Sequence, residues 1–361
     1  MGWCKVKGEE KEFFMKKLLL LLSLFLISFK SEAVNITISS TCNGGANTAN
    51  CQALEDELNS YLNSETPDVS IDKYADGISN ATGFAMKGQN SEYAENFSLF
   101  VFKPSFGLAA QGDVDEPESA EGFGLGGALT VGINLDLLPI DKIGPIEFKK
   151  MDLFVSFMSY NLDQEVGDNA TGEGELSSFS VMARYRLMDA VDIVPGYMLQ
   201  WGGLHIHTGI QRNKMGIELS QDLEDETVTD EGTGASGTFN NGNVTFDMDS
   251  TVTSIPFEIS TSIRALYVLS LYGGLGFDYN LTSETDVDLN ADGTFNGNAG
   301  GDTYVANISA DESASGEGMA TNYRGFVGLQ FNVPFVRIYV QANKSFAEEL
   351  VGVNAGLKIT Y

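Results

Sequence analysis

Three groups of residues have the types and spacing that chemistry would need. His205-Ile-His207 sets the chain's two histidines at alternate positions. Alternate residues of a strand share a face, so the imidazoles would point together, as metal ligands or as polar residues lining an interior. A serine hydrolase could use one as its base, but no nucleophile motif accompanies the pair. Asp288-Leu-Asn290-Ala-Asp292-Gly293 matches the opening of a calcium loop, with oxygen ligands at alternate residues and glycine for the sharp turn. Ala299 stands at the twelfth position, where such a loop wants a bidentate Glu. The expectation is therefore either a Ca2+ site at Asp288, Asn290 and Asp292 or an ordinary Asp/Asn/Gly turn, with no other cofactor. Cys42 and Cys51 flank the flexible stretch NGGANTAN. In an oxidising compartment this pair is expected to form a local disulfide, since no further Cys or nearby His completes a metal site.

The elements that position these groups must be found in an unusual background. The chain has 361 residues, 50 acidic and 21 basic, for a formal charge of −29. A polyanion repels nucleic acid, whose binding rests on Lys and Arg, so no nucleic-acid partner is expected. The chain is 43% hydrophobic with 23 Phe and 13 Tyr, too apolar for a disordered acidic tail. Two histidines leave little for acid–base catalysis, and the protein reads as a non-enzyme. Forty glycines against eight prolines suit many strands joined by turns.

Residues 1–33 read as a secretory signal. From Met15, Lys16 and Lys17 precede the apolar run Leu18–Ile27, and Ser31-Glu32-Ala33 offers a small-x-small exit. The run is too short to span a bilayer, which takes about 20 residues. Six lysines and four glutamates leave with this segment, so the charge deepens to −31. Residues 34–96 are polar and partly helical. Leu54, Leu58, Tyr61 and Leu62 form one helical stripe, and Ile71, Tyr74, Ala75 and Ile78 another. They are expected to form a periplasmic segment or a plug.

From about residue 97 the period becomes two. Phe123, Leu125, Leu129, Val131, Ile133 and Leu135 alternate with Gly124, Gly126, Ala128, Thr130, Gly132 and Asn134. The same alternation runs through 179–187, 269–279, 323–333 and 351–361. Ten strands are expected, near 97–110, 122–135, 151–162, 176–188, 193–219, 244–263, 266–280, 321–333, 335–345 and 350–361, with eight to twelve as the range. Long acidic gaps at 111–121, 163–175, 221–243 and 282–320 alternate with short connections, the asymmetry of a membrane barrel. Small inward residues such as Gly124 and Gly126 would leave room for water or a plug.

The tail VGVNAGLKITY, with Leu357, Ile359 and terminal Tyr361 in alternation, resembles the C-terminal assembly strand of Gram-negative outer-membrane β-barrels, porin-like proteins among them. The resemblance covers 97–361 and the signal. It implies an all-β, antiparallel transmembrane barrel in the outer membrane. It also implies contact with outer-membrane lipids, lipopolysaccharide and the insertion machinery. Residues 81–112 resemble the opening segment of surface-barrel and adhesin-like proteins of spirochaetes and predatory bacteria. Between the second and third strands, Leu137, Leu138, Ile140, Ile143, Ile146 and Phe148 form an apolar patch on the short-connector side. Such a patch marks contact with lipid or protein, and it is expected either to make the protein a homo-oligomer or to pack on residues 34–96. The functional expectation is a porin-like or structural barrel. The alternative is a surface adhesin that binds host or prey ligands through acidic loops.

Overall fold

The computed structural model describes residues 35–43, 71–97, 99–112, 121–139, 141–167, 169–194, 198–223, 225–229, 236–299, 302–333 and 336–360. The signal, Cys51, the 54–62 stripe, Ile140 and Tyr361 lie outside them, as does the side chain of Cys42.

In chain order the elements are β1 (Asn35–Asn43), helix α1 (Ile71–Ala85), β2 (Phe100–Gln111), β3 (Gly122–Asn134), the two-residue β4 (Lys142–Ile143) and β5 (Ile146–Glu147), β6 (Met151–Gly167), β7 (Ala170–Met188), β8 (Val191–Val194), β9 (Leu199–Leu223), β10 (Glu226–Thr229), β11 (Ser236–Ala265), β12 (Leu269–Ala299), β13 (Asp302–Glu317), β14 (Thr321–Val333), β15 (Val336–Ser345) and β16 (Leu350–Thr360). The ring runs β2-β3-β6-β7-β9-β11-β12-β14-β15-β16 and closes where β16 pairs with β2. Ten antiparallel strands thus form a closed all-β barrel, in which β3 and β6 pair over Leu129–Asn134 and Asp152–Phe157. An even count returns both ends of the ring, Phe100 and Thr360, to the short-connector side, where Val101 pairs with Thr360.

The two-residue period sorts the faces as a membrane requires. Leu129, Val131 and Ile133 are exposed while Thr130 and Asn134 are buried, and Leu357 and Ile359 are exposed on either side of buried Lys358. On β12 the outward apolar series spans Leu269 to Tyr279, eleven residues, matching the ~9–11 that a tilted strand needs to cross. The far rim of this belt carries an aromatic row. Phe257 lies opposite Phe277, which lies opposite Tyr323, with ring centroids 6.4 and 5.1 Å apart. Aromatic girdles mark the edges of an apolar band.

Beyond the belt the structure departs from the sequence reading. The gaps at 163–175, 221–243 and 282–320 were expected to be loops, and their described residues are mostly strand. β6 and β7 pair up to Gly167 and Ala170, and β11 and β12 pair up to Ser236 and Asn298. Past the belt β12 exchanges β14 for β13, and β1 pairs with β13 in turn. Residues 280–299 of β12 therefore rise roughly 65 Å along the strand outside the membrane. In the upper stretch the apolar face turns inward, with Val287 buried and Asp286 and Asp288 exposed, the reverse of the outward apolar series of the belt. Asp288, Asn290 and Asp292 belong to this extended strand and not to a turn.

The belt makes a direct prediction. Leu275 faces lipid near mid-belt. Leu275→Arg is expected to cost about 2–4 kcal/mol in denaturant unfolding from lipid bilayers. Glu284→Arg, above the belt, is expected to cost little. Equal losses at the two positions would contradict the assigned membrane boundary.

Candidate functional site

The lumen is filled by the chain's own residues 71–97. The upper half of this plug is α1, whose sequence suits burial on every side. Tyr74, Ala75 and Ile78, the predicted stripe, pack with Leu176, Met215, Met248, Val287 and Ala314 of the wall. Small residues face the opposite wall. A Cβ on Gly122 would meet the Gly77 carbonyl carbon at 2.2 Å, and one on Gly124 would meet that of Ala81 at 2.2 Å. Gly126 similarly faces the Ala85 carbonyl at 3.0 Å. Four helical residues rise about 6.0 Å and two strand residues about 6.8 Å, so the i+4 repeat of α1 keeps step with the i+2 repeat of β3. The glycine face that sequence suggested as room for water or a plug is the groove in which α1 lies.

Below Ala85 the contacts change from apolar to ionic. Gly88 turns the chain at φ +91°, and a side chain there would collide with Gln341. Lys87 reaches Asp278 at 3.1 Å and Ser254 at 3.0 Å, while Asn354 donates to its carbonyl at 2.7 Å. Arg324 pairs with Asp278 at 2.9 Å and with Glu258. Glu258 in turn accepts from the Tyr93 hydroxyl at 2.7 Å.

Glu92 and Glu95 form the centre of the network. Lys358 lies 2.7 Å from Glu92 and 3.1 Å from Glu95. Arg337 and Arg264 reach the two oxygens of Glu95 at 2.6 and 2.9 Å. Arg184 donates to the carbonyls of Glu92 and Glu95 at 2.8 and 2.9 Å and is itself held by Asp152 at 2.6 Å. Lys103 donates to the carbonyls of Gly88 and Ser91. Wall cations Lys103, Arg184, Arg264, Arg324, Arg337 and Lys358 thus outnumber wall carboxylates Asp152, Glu258 and Asp278. The plug carboxylates offset part of that excess. A buried charge is tolerable only when it is paired and hydrogen-bonded.

His205 and His207 share the inward face, as their spacing implied. His207 Nδ1 lies 2.7 Å from Ser91 Oγ and its Nε2 lies 2.8 Å from Ser260 Oγ. His205 Nε2 lies 2.9 Å from Asn96 Oδ1. Both rings tie the plug to the wall. Among the described residues, no group of three or more His, Cys, Asp or Glu is arranged to hold a metal ion.

The remaining expected residues sit apart. Leu137, Leu138, Ile143 and Ile146 are exposed around the β4–β5 hairpin on the short-connector side, with Phe148 half-buried. The plug occupies the lumen and contributes only Asn96 and Phe97 to the adjoining cleft of about 570 Å³, which Asn134, Asp136, Glu147, Lys149, Lys150, Arg186 and Asp189 also line. Asp288, Asn290 and Asp292 lie on the exposed outer face of β12. Asp288 joins a row that sequence reading missed. Glu173, Glu218, Asp247 and Asp288 stand directly opposite one another on β7, β9, β11 and β12, and all four are exposed. Asp249 opposite Asp286 adds a second like-charge pair. Like charges in register destabilise a sheet. Partial desolvation, then Asp249 and Asp288, push the Asp247 carboxyl above its usual range. Only the strand register brings these residues together, so no local sequence signal marks the row.

A family model described as Lsa36-like matches residues 33–361, and the chain belongs to that family. No curated protein matches it significantly. Solved structures similar to it include the translocator domain of the autotransporter NalP from Neisseria meningitidis (9% identity, 88% of this chain and 100% of that one, TM-score 0.30). Others are the outer membrane protease OmpT from Escherichia coli (10% identity, 76% and 99%, TM-score 0.31) and a major outer membrane protein from Thermus thermophilus (14% identity, 59% and 99%, TM-score 0.24). Such identities and scores say nothing of activity.

The helix-to-strand seam is open to test. Gly124→Leu places a side chain against the α1 backbone and is expected to lift the helix from its groove. Amide exchange at 77–85 should then accelerate while strands β14–β16 keep their protection. Unchanged exchange at 77–85 would contradict the packing.

Proposed function

We propose that this member of the Lsa36-like family is a sealed, non-enzymatic outer-membrane scaffold whose projecting sheet binds basic ligands outside the cell. The observation that carries this reading is the in-register row Glu173, Glu218, Asp247 and Asp288. Four carboxylates on neighbouring strands repel one another, a cost that folding alone does not explain. A ligand presenting Lys or Arg relieves that repulsion, and charge complementarity raises the rate of encounter. Of the sequence readings this supports the adhesin-like one over an open porin, since residues 71–97 occupy the lumen that solute would need. The charge distribution agrees. The lipid belt is apolar, the wall of the lumen is rich in cations, and exposed carboxylates gather where the strands leave the membrane.

The test uses the full chain in lipid nanodiscs and a lysine-rich soluble protein as probe. Binding is expected to weaken steadily as salt rises. The variant E173Q/E218Q/D247N/D288N is expected to slow association about tenfold. The same variant should stabilise the sheet by roughly 0.2–1 kcal/mol for each like-charge pair removed. Salt-independent binding, or a variant that binds as the parent does, would contradict the proposal.

A further inference from the structure

The plug has a direction. At its upper end, Asp76 accepts from the Glu317 amide at 2.7 Å, and Gly77 approaches the backbone of Glu121. Glu317 and Glu121 both lie at the end where the strands leave the membrane. At its lower end, Asn96 donates to the Gly202 carbonyl at 3.3 Å, and Glu95 meets Arg264 and Arg337 near the short connectors. The chain then enters β2 at Phe100 on that same side. Residues 76–96 therefore descend the whole barrel before the first ring strand begins. The chain ahead of them agrees. All nine residues of β1 pair with Thr303–Asp311 of β13, a strand that meets β12 only beyond the belt.

We infer that the chain passes through its own barrel from outside to inside, so that β1 stands on the cell surface as part of the ligand-facing sheet. This rests on the outer-membrane orientation used in the proposed function, with the long strands outside. It replaces, for β1, the expectation of a periplasmic segment or a plug and assigns β1 a place among the surfaces that meet a partner. β1 ends the strand order of the sheet and its sequence, NITISSTCN, has no charged residue. The outer surface thus gains a neutral border beside the carboxylate row.

Site-directed labelling of the full chain in intact cells tests the inference. The native cysteines are first replaced by serine. Single cysteines are then placed at three exposed positions, Asp72→Cys, Glu284→Cys and Lys149→Cys, and treated with a bulky, membrane-impermeant maleimide. Labelling after denaturation confirms that each thiol is reactive. The expected result is that the Asp72 and Glu284 positions label in intact cells, while the Lys149 position labels only after the outer membrane is opened. Labelling at 284 with protection at 72 would overturn the inference and leave the orientation intact. Labelling at 149 with protection at 284 would overturn the orientation and the inference together.

Discussion

Glu92 and Glu95 are the charges on which the rest of the structure depends. A closed ring of ten strands solves the hydrogen-bonding problem of a bilayer but encloses a lumen that must be filled. Here the wall brings more guanidinium and ammonium groups inward than it can neutralise. The plug delivers carboxylates where Lys358, Arg337 and Arg264 converge, and carbonyls where Arg184 and Lys103 point. Removing one partner from a buried set of this kind typically costs about 3–5 kcal/mol, because the remaining charge is stranded. The lower plug is therefore fixed by electrostatics, and the upper plug by the near-match between helical and strand repeats along Gly122, Gly124 and Gly126.

The formal charge of −29 conceals a sharp division of labour. Strand alternation sends basic residues to the lumen at 184, 324 and 358 and apolar ones to lipid at 129, 271 and 357. The acidic residues concentrate where the strands have left the membrane. Residues 71–97 fill the lumen beneath the projecting sheet, and the carboxylate row stands on regular strands. The two like-charge features differ in kind. Buried cations in the wall meet carboxylates from the plug, whereas the exposed carboxylate row has no comparable set of cations from the described residues of the chain. Lys214, which contacts Glu175 at 2.9 Å and Asp249 at 3.4 Å, is a local exception on the second row.

Much of the barrel was legible in sequence because a membrane strand writes its own register. The alternation marked Leu129, Val131 and Ile133 as facing lipid, whereas Phe123 and Leu125 of the same series pack against the core around Tyr74 and Ile78 and Leu135 is buried; the ten strand positions agree with the ring. The upper strands were misread because stretches such as Ser283–Ala299 are rich in Asp, Asn and Gly, the residues of turns, which outweighed the alternation of Val287, Leu289 and Ala291 with them. β1 escaped notice for a related reason, since its short stretch is mostly Thr, Ser and Asn, with only Ile36 and Ile38 as large apolar residues. The plug was only half legible. The stripe Tyr74, Ala75 and Ile78 announced a helix, but the roles of Glu92 and Glu95 follow from cations more than 80 residues away in sequence. The useful signal was the inward position of Arg184, Arg324 and Lys358. Charges on the lumen face require partners, and the segment before the first strand was available to supply them.

Single-channel recording from the full chain in planar bilayers tests the central claim most directly, namely that residues 71–97 seal the barrel. The account predicts no stable conductance steps from the parent protein, and steps from Glu92→Gln/Glu95→Gln, in which the clasped carboxylates lose their charge. Long-lived open steps from the parent protein would contradict it.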